Sequence, residues 1–216
     1  MVMQMADSSD AVQNAYNEWV YQYDTNENST RDLNAEVLRQ QPLALAGKRV
    51  LEIGCGTGLN TIWLAHQAQR VVGVDISQGM LRQAHRRLSA SSVSLLQVDI
   101  TKPWPLNQPF DVIVANLVLE HVQHLGHIFG EAHRLLRPGG LLYIGELHPY
   151  KQLQGGQARY HNAETGQDVL VPAFLHPVSD YTNQGIEAGF TLRRMGEWHS
   201  ASDTVPRLLT LLFERT

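Results

Sequence analysis

A single cysteine, Cys55, stands in a chain of 216 residues, which excludes an intrachain disulfide and any cysteine metal cluster. No metal site is expected. No stretch supplies the roughly eighteen consecutive apolar residues that a membrane-spanning helix needs, and Met1 to Asp7 has neither a basic head nor a long apolar run. A cytoplasmic chain with no membrane partner is the expectation. Lys and Arg total 17 against 21 Asp and Glu, a net charge of −4, so no basic field advertises a nucleic-acid partner. Internal repeats and low-complexity tracts are absent. What is present is a hydrophobic fraction of 43% beside 18% charged residues, the composition of one compact domain with a sizeable core, acting as a monomer or homodimer.

The rest of the chain is organised around Val50 to Leu64. Val50-Leu51-Glu52-Ile53 reads as a buried parallel strand in which Glu52 is the only polar residue. Gly54, Gly56 and Gly58 then supply a tight turn and clear side chains from the path of a ligand, and an apolar helix follows with Leu59, Ile62 and Trp63. A strand, a glycine turn and a helix N-terminus together present free N–H groups and a positive dipole end, the makings of a nucleotide-cofactor cradle. The dinucleotide fingerprint wants its third glycine where Leu59 stands; the spacing here is G-x-G-x-G. Glu52, beside the loop, would repel a pyrophosphate but suits a cationic ligand, and S-adenosylmethionine carries a sulfonium and an ammonium.

Glu52-Ile53-Gly54-Cys55-Gly56-Thr57-Gly58 resembles the glycine motif of class I S-adenosylmethionine-dependent methyltransferases. Cys55 reads as a small residue filling that loop, since no base partner stands beside it. Arg70 to Ile76 is a second buried strand ending in Asp75, about twenty residues beyond the loop, where an acid accepts hydrogen bonds from ribose hydroxyls; Ser77 caps the helix that follows, with Met80, Leu81, Ala84 and Leu88 on its core face. The resemblance implies that Ile76 and Met80 cover the adenine, and that Asp99 and Ile100, near the end of a third strand from Val93 to Ile100, meet its amino group and a ring nitrogen. Phe110 to Asn116 is a fourth strand. Ligands of doubly wound sheets lie beyond the carboxyl ends of the strands, which puts Asn116, Leu117 and the residues up to His121 against cofactor and substrate. A helix from Leu125 to Leu136 stops at Pro138-Gly139-Gly140 before a strand Leu141 to Glu146. The fold that the resemblance implies is an α/β Rossmann-like, doubly wound sheet of seven strands in the order 3-2-1-4-5-7-6, strand 7 antiparallel, with helices on both faces.

The flanks are less regular. Residues 9–24 place Val12, Ala15, Tyr16, Trp19, Val20 and Tyr23 at helical spacing, a face that either packs on the core or closes the cofactor site as a lid; Tyr16, Trp19 and Tyr23 are candidate substrate contacts. Residues 147–178 carry six Gly or Pro breakers with aromatics and histidines, and possible short strands around Thr165-Gly166. They are too many for a simple connection and read as a substrate-covering insertion. The division expected within one domain of 216 residues is therefore an N-terminal helical lid (1–42), a cofactor-binding core (43–146), the insertion (147–178), and a terminal helix with a closing hairpin (179–216).

The implied reaction is attack by an O or N atom of a small organic acceptor on the methyl of S-adenosylmethionine, releasing S-adenosylhomocysteine. His121, Glu146 and His148 fall at or after the ends of strands four and five and are the candidate bases, His148 also a candidate substrate contact. A non-catalytic S-adenosylmethionine-binding protein and, against the glycine spacing, a nicotinamide-dependent oxidoreductase are the alternatives.

Overall fold

The computed structural model describes residues 8–88, 92–162 and 165–216; Met1 to Asp7 lie outside them. Two N-terminal helices, α1 (Ser8–Tyr23) and α2 (Ser29–Arg39), precede an alternation of β1 (Arg49–Ile53), α3 (Leu59–Gln67), β2 (Arg70–Asp75), α4 (Gln78–Arg87), β3 (Val93–Gln97), β4 (Phe110–Asn116), α5 (Leu125–Leu135) and β5 (Leu136–Leu147). A short helix α6 (Pro149–Leu153) and a hairpin of β6 (Arg159–Asn162) and β7 (Gln167–Leu170) lead to α7 (Val178–Glu187), β8 (Phe190–Trp198) and β9 (Leu208–Arg215). The main sheet runs β3-β2-β1-β4-β5-β9-β8. With the β6–β7 hairpin set aside, that is the expected 3-2-1-4-5-7-6, and β9 is antiparallel to both β5 and β8.

Alternation along the strands decides what each face carries. In β1, Leu51 and Ile53 pack with α5 residues such as Phe129, whereas Val50 joins Leu38 of α2 and Leu64 of α3 on the opposite face. Glu52 shares Val50's side, since successive strand residues point to opposite faces; Asn116 of β4 likewise shares the side of Val112 and Val114. Glu146 has the parity of Leu142 and Ile144 and belongs to the α5 side. A third cluster joins Val12, Ala15 and Trp19 of α1 to Tyr160 and Val171 around the hairpin. The N-terminal helix therefore packs on the 147–178 segment.

Three local expectations are corrected. The third strand ends at Gln97, and Asp99 and Ile100 lie in the loop beyond it, although the Val98 N–H still donates to the Asp75 carbonyl at 3.0 Å. Helix α5 ends at Leu135, ahead of Pro138, because Leu136 is already extended and pairs with Phe110; the following breakers form an irregular start to β5, where a Cβ on Gly140 would meet the Arg137 carbonyl oxygen at 2.8 Å. On α3 the buried residues are Thr61 and Leu64, while Leu59 is exposed, since the helix starts at Leu59 and its first residue overhangs the cleft.

Candidate active site

The glycine loop follows from backbone demands. Gly54 has φ +69 and a Cβ there would stand 2.5 Å from Val118 Cγ2, so no other residue lets the loop lie against the turn after β4. Gly58, at φ +83, caps α3 and faces Leu88 and Ala84 of α4; its role is helix packing, away from the cavity wall. At Gly56 (φ +53) nothing lies within 4 Å of an added Cβ. That space is cavity.

Three adjoining cavities lie past the carboxyl ends of the strands. The first is lined by Gly54, Gly56, Asp75, Ile76, Met80, Asp99, Ile100, Asn116, Leu117, Tyr16 and His121, among others; the structure thus brings together most of the residues the sequence assigned to the cofactor. Glu52 and Cys55 line a second, with Gly54, Gly56, Asn34 and Asn116. A third, of about 510 Å³, opens between α1, the start of α2 and the 147–158 segment and is lined by Tyr16, Trp19, Tyr23 and Leu117. Leu117, at φ +51, touches all three.

Asp75 ties the cradle together. One carboxylate oxygen accepts from the Gly56 N–H and the other from the Ser77 N–H, each at 2.8 Å. Burial raises its pKa, and the hydrogen bonds from Ser77 and Gly56 oppose the rise. Ser77 caps α4 through the Met80 N–H, as expected. At Asp99 burial pushes the pKa up, but hydrogen bonds from Thr101 and Lys102 outweigh it and hold the carboxyl below its usual range. Glu52 is buried and accepts from the Thr61 hydroxyl at 2.6 Å; burial lifts its pKa to about 8, against the pull of that hydrogen bond and with a push from Asp75. Burial also drives the Cys55 thiol well up, which suits a loop filler and not a nucleophile. Both amide atoms of Asn116 are buried without a protein partner among the described residues, and such groups call for a ligand or water.

Tyr16 and His121 form a pair. The Pro172 carbonyl lies 2.6 Å from His121 Nδ1 and can only accept, so Nδ1 carries the proton in the neutral ring, and Nε2 accepts from the Tyr16 hydroxyl at 2.8 Å. Glu120 stands 3.8 Å from Nε2. Burial, reinforced by Tyr23 and Glu120, holds the Tyr16 phenol well above its ordinary pKa. The two other candidate bases line none of these three cavities. Glu146 accepts from the Val118 and Leu119 N–H groups at 2.9 and 3.0 Å, bracing the turn after β4 from the α5 side. His148 is fully buried; its Nδ1 accepts the Tyr150 N–H as the cap of α6, which leaves Nε2 to donate to Glu197 at 2.9 Å.

The sequence reading missed the polar straps that hold α1 over the site. Asn17 Oδ1 accepts from the Ser77 hydroxyl and the Gly79 N–H, and Gln13 donates to the Ile76 carbonyl. Asp24 joins Arg87 and the Thr57 hydroxyl at 2.5 and 2.6 Å. Isolated Asn, Gln and Asp residues carry no periodic signal, so nothing in the pattern could mark them.

A model of a methyltransferase domain matches residues 51–144, the span from β1 into β5. That domain match and the sheet order are those of class I S-adenosylmethionine-dependent methyltransferases. An uncharacterised methyltransferase of Emericella nidulans is 29% identical over 82% of this chain and 75% of its own length. A ubiquinone biosynthesis O-methyltransferase of Pseudomonas syringae is 32% identical, but over 48% of this chain and 46% of that protein, so here the chain spans about half of its relative. An S-adenosylmethionine-dependent methyltransferase from Mesorhizobium loti shares the fold, with a TM-score of 0.72 at 21% identity over 83% of this chain and 96% of that one. No described helix is long and apolar enough to cross a membrane. Among the described residues no group of three or more His, Cys, Asp or Glu side chains could hold a metal.

The methyltransferase cradle fits its cofactor by its own chemistry: an open glycine wall, an unpartnered Asn116 amide and two buried carboxylates, Glu52 and Asp75, suited to a ligand with hydroxyl and cationic groups. Two expectations follow. Gly56→Ala should fold, with Tm lower by about 2–4 °C for the roughly 1 kcal/mol of left-handed strain, and should bind S-adenosylhomocysteine at least about tenfold more weakly because the methyl enters the cavity; wild-type affinity by calorimetry would remove Gly56 from the cradle. The second concerns pH. Glu52, with a pKa of about 8 in the free protein, is protonated at pH 7, and its stabilising contribution is full below the unfolded carboxyl pKa and is lost as pH rises through 8. A bound ammonium favours the ionised form, so binding should expel a proton and tighten as pH climbs from 6 to 8. Calorimetry at pH 7 in two buffers of different ionisation enthalpy reads that proton directly; zero proton release would separate Glu52 from the ligand's charge.

Proposed function

We propose that this chain transfers the methyl group of S-adenosylmethionine to an O or N atom of a small organic acceptor. One observation carries the reading: the Tyr16–His121 pair lines the cofactor cavity, and Tyr16 also lines the roomy cavity beside it, so a proton acceptor stands at the junction of two compartments. The cofactor supplies an activated methyl with its leaving group already attached. The protein's own tasks are then alignment, exclusion of water and removal of the acceptor's proton.

Glu52, Gly54, Cys55, Gly56, Asp75, Ile76, Met80, Asp99, Ile100, Asn116 and Leu117 would hold the cofactor. Residues 1–42 and 147–178 would be the two halves of a lid over the 43–146 core, closed by residues 179–216, with Trp19 and Tyr23 facing the acceptor. Burial keeps the Tyr16 phenol neutral, which suits a relay: its oxygen takes the acceptor's proton while its own passes to His121 Nε2. Glu120 then lies beside the imidazolium, and the Pro172 carbonyl keeps the ring in place. The name of the Pseudomonas syringae relative, an O-methyltransferase, supports oxygen as the methylated atom. The test is an untargeted screen with labelled S-adenosylmethionine against pools of hydroxy and amino compounds: label is expected in a small acceptor, and label only in protein or nucleic acid would overturn the proposal.

A further inference from the structure

The residues of the 510 Å³ cavity beside Tyr16 are unusually rich in donors. Four cations line it, Arg31, Lys151, Arg159 and Arg207, against two carboxylates, Glu27 and Glu120. Behind them Asp203, its side chain 1% exposed, holds Lys151 Nζ at 2.9 Å and grips Arg207 through Nε at 2.6 Å and Nη2 at 2.5 Å. These ion pairs keep Asp203 far below the ordinary carboxylate range. They also fix the two cations in place: Lys151 keeps two ammonium hydrogens to give, and Arg207 Nη1 spans to Thr30 Oγ1 at 3.2 Å with one hydrogen to spare. Arg31 spends Nε on Asp32, Nη1 on the Tyr23 carbonyl and Nη2 on the Asn26 carbonyl, which ties it to its own wall with one hydrogen left on each terminal nitrogen; Arg159, exposed, is bound to the Gly155 carbonyl.

Two further features have the same sign. The N-terminus of α2, residues Asn28 to Arg31, forms part of the wall and adds the positive end of an eleven-residue helix. Trp19, 5% exposed, also lines the cavity, and its indole N–H has no partner among the described residues. A buried, unpartnered donor in a cationic cavity points to a ligand acceptor atom. Of the two carboxylates, Glu27 is exposed, and Glu120 belongs to the His121 pair, where Gln152 holds its other oxygen at 3.2 Å.

From this arrangement we infer that the acceptor is a small organic anion, and that Lys151 and Arg207 take its carboxylate or phosphate-like head while its O or N end reaches Tyr16 and His121. Glu120 repels the head from the reacting end, so the charge pattern sets the acceptor's direction as well as its class. The inference rests on the methyl-transfer reading only for the role of the Tyr16 end; the anion subsite stands or falls by itself.

The experiment titrates inorganic phosphate and, separately, malonate into the full chain by calorimetry in 0.15 M NaCl, with and without saturating S-adenosylhomocysteine. Saturable binding of one or both anions is expected, weakened at least about tenfold by Lys151→Gln, restored by Lys151→Arg, and weakened about threefold by Arg159→Gln, which touches no buried group. S-adenosylhomocysteine affinity, measured on the same samples, is expected to be unchanged and reports that each variant is folded. No saturable binding of either anion, or binding that ignores both variants, overturns the subsite. Anion binding in a protein that fails to bind S-adenosylhomocysteine would keep the subsite and refute the methyl-transfer reading instead.

Discussion

His121→Ala is expected to lower the rate of methyl transfer by about 10²- to 10⁴-fold, the usual contribution of a positioned base, while S-adenosylhomocysteine still binds. His121 lines the cofactor cavity, yet both its ring nitrogens are spent on Tyr16 and Pro172. Its loss should therefore appear in kcat and not in cofactor affinity. Tyr16→Phe removes the other half of the relay and leaves the ring contacts with Trp19 and Tyr23. If proton transfer passes through the phenol, the two single variants should lose similar factors and the double variant should lose little more, because residues that act as a unit are not additive. Single-turnover kinetics with labelled S-adenosylmethionine, on the acceptor found by the screen, separates the cases. Losses that multiply in the double variant would mean that Tyr16 and His121 act separately; an unchanged rate in His121→Ala would mean an acceptor that needs no base.

The cofactor half of this site was legible because each of its elements leaves a mark in sequence. A run of branched aliphatics broken only by Glu52, glycines at alternate positions and an acid closing the next strand are all local, and strand parity carries Glu52 and Asn116 to the same face without any tertiary knowledge. The bases show the limit. Position at a strand end names a backbone location, not the direction of a side chain: Glu146 follows the parity of Leu142 and Ile144 to the α5 side, and His148 turns inward to cap α6. The anion cavity left no mark at all. Thr30, Lys151, Asp203 and Arg207 meet only after α2, α6 and the approach to β9 converge, and a salt-bridge cluster assembled over that span has no periodicity to read. The packing of α1 on the hairpin was half visible, the aromatic stripe evident in α1, its partner only hinted at by breakers and possible short strands. That pairing also bears on how the proposed lid can be tested: removing residues 147–178 would take away Tyr160, Val171 and Pro172, strip the buried face of α1 and free His121 Nδ1, so point variants are the cleaner probe.

Asp75→Ala should produce the largest loss of cofactor affinity of any single change in the cradle. Two effects add. The carboxylate is the group placed to meet a ligand's hydroxyls, and losing a charge-assisted hydrogen-bonded pair costs about 2–3 kcal/mol, roughly 30- to 150-fold in Kd. It is also the clamp between the glycine loop and α4, and its removal strands the Gly56 and Ser77 N–H groups, each costing about 1–3 kcal/mol if left buried and unpaired. The loop would then sample other shapes before binding, lowering affinity again by the fraction of time it is misplaced. Asp75→Asn divides the two effects, since its amide oxygen can still accept one backbone N–H but the charge is gone. Calorimetry with S-adenosylhomocysteine, paired with thermal melting, should find Asp75→Ala weakened by 30-fold or more with a lower Tm, and Asp75→Asn between it and wild type on both scales. Unchanged affinity in Asp75→Ala, with only Tm reduced, would show that the carboxylate serves the loop alone and that the ribose contact lies elsewhere.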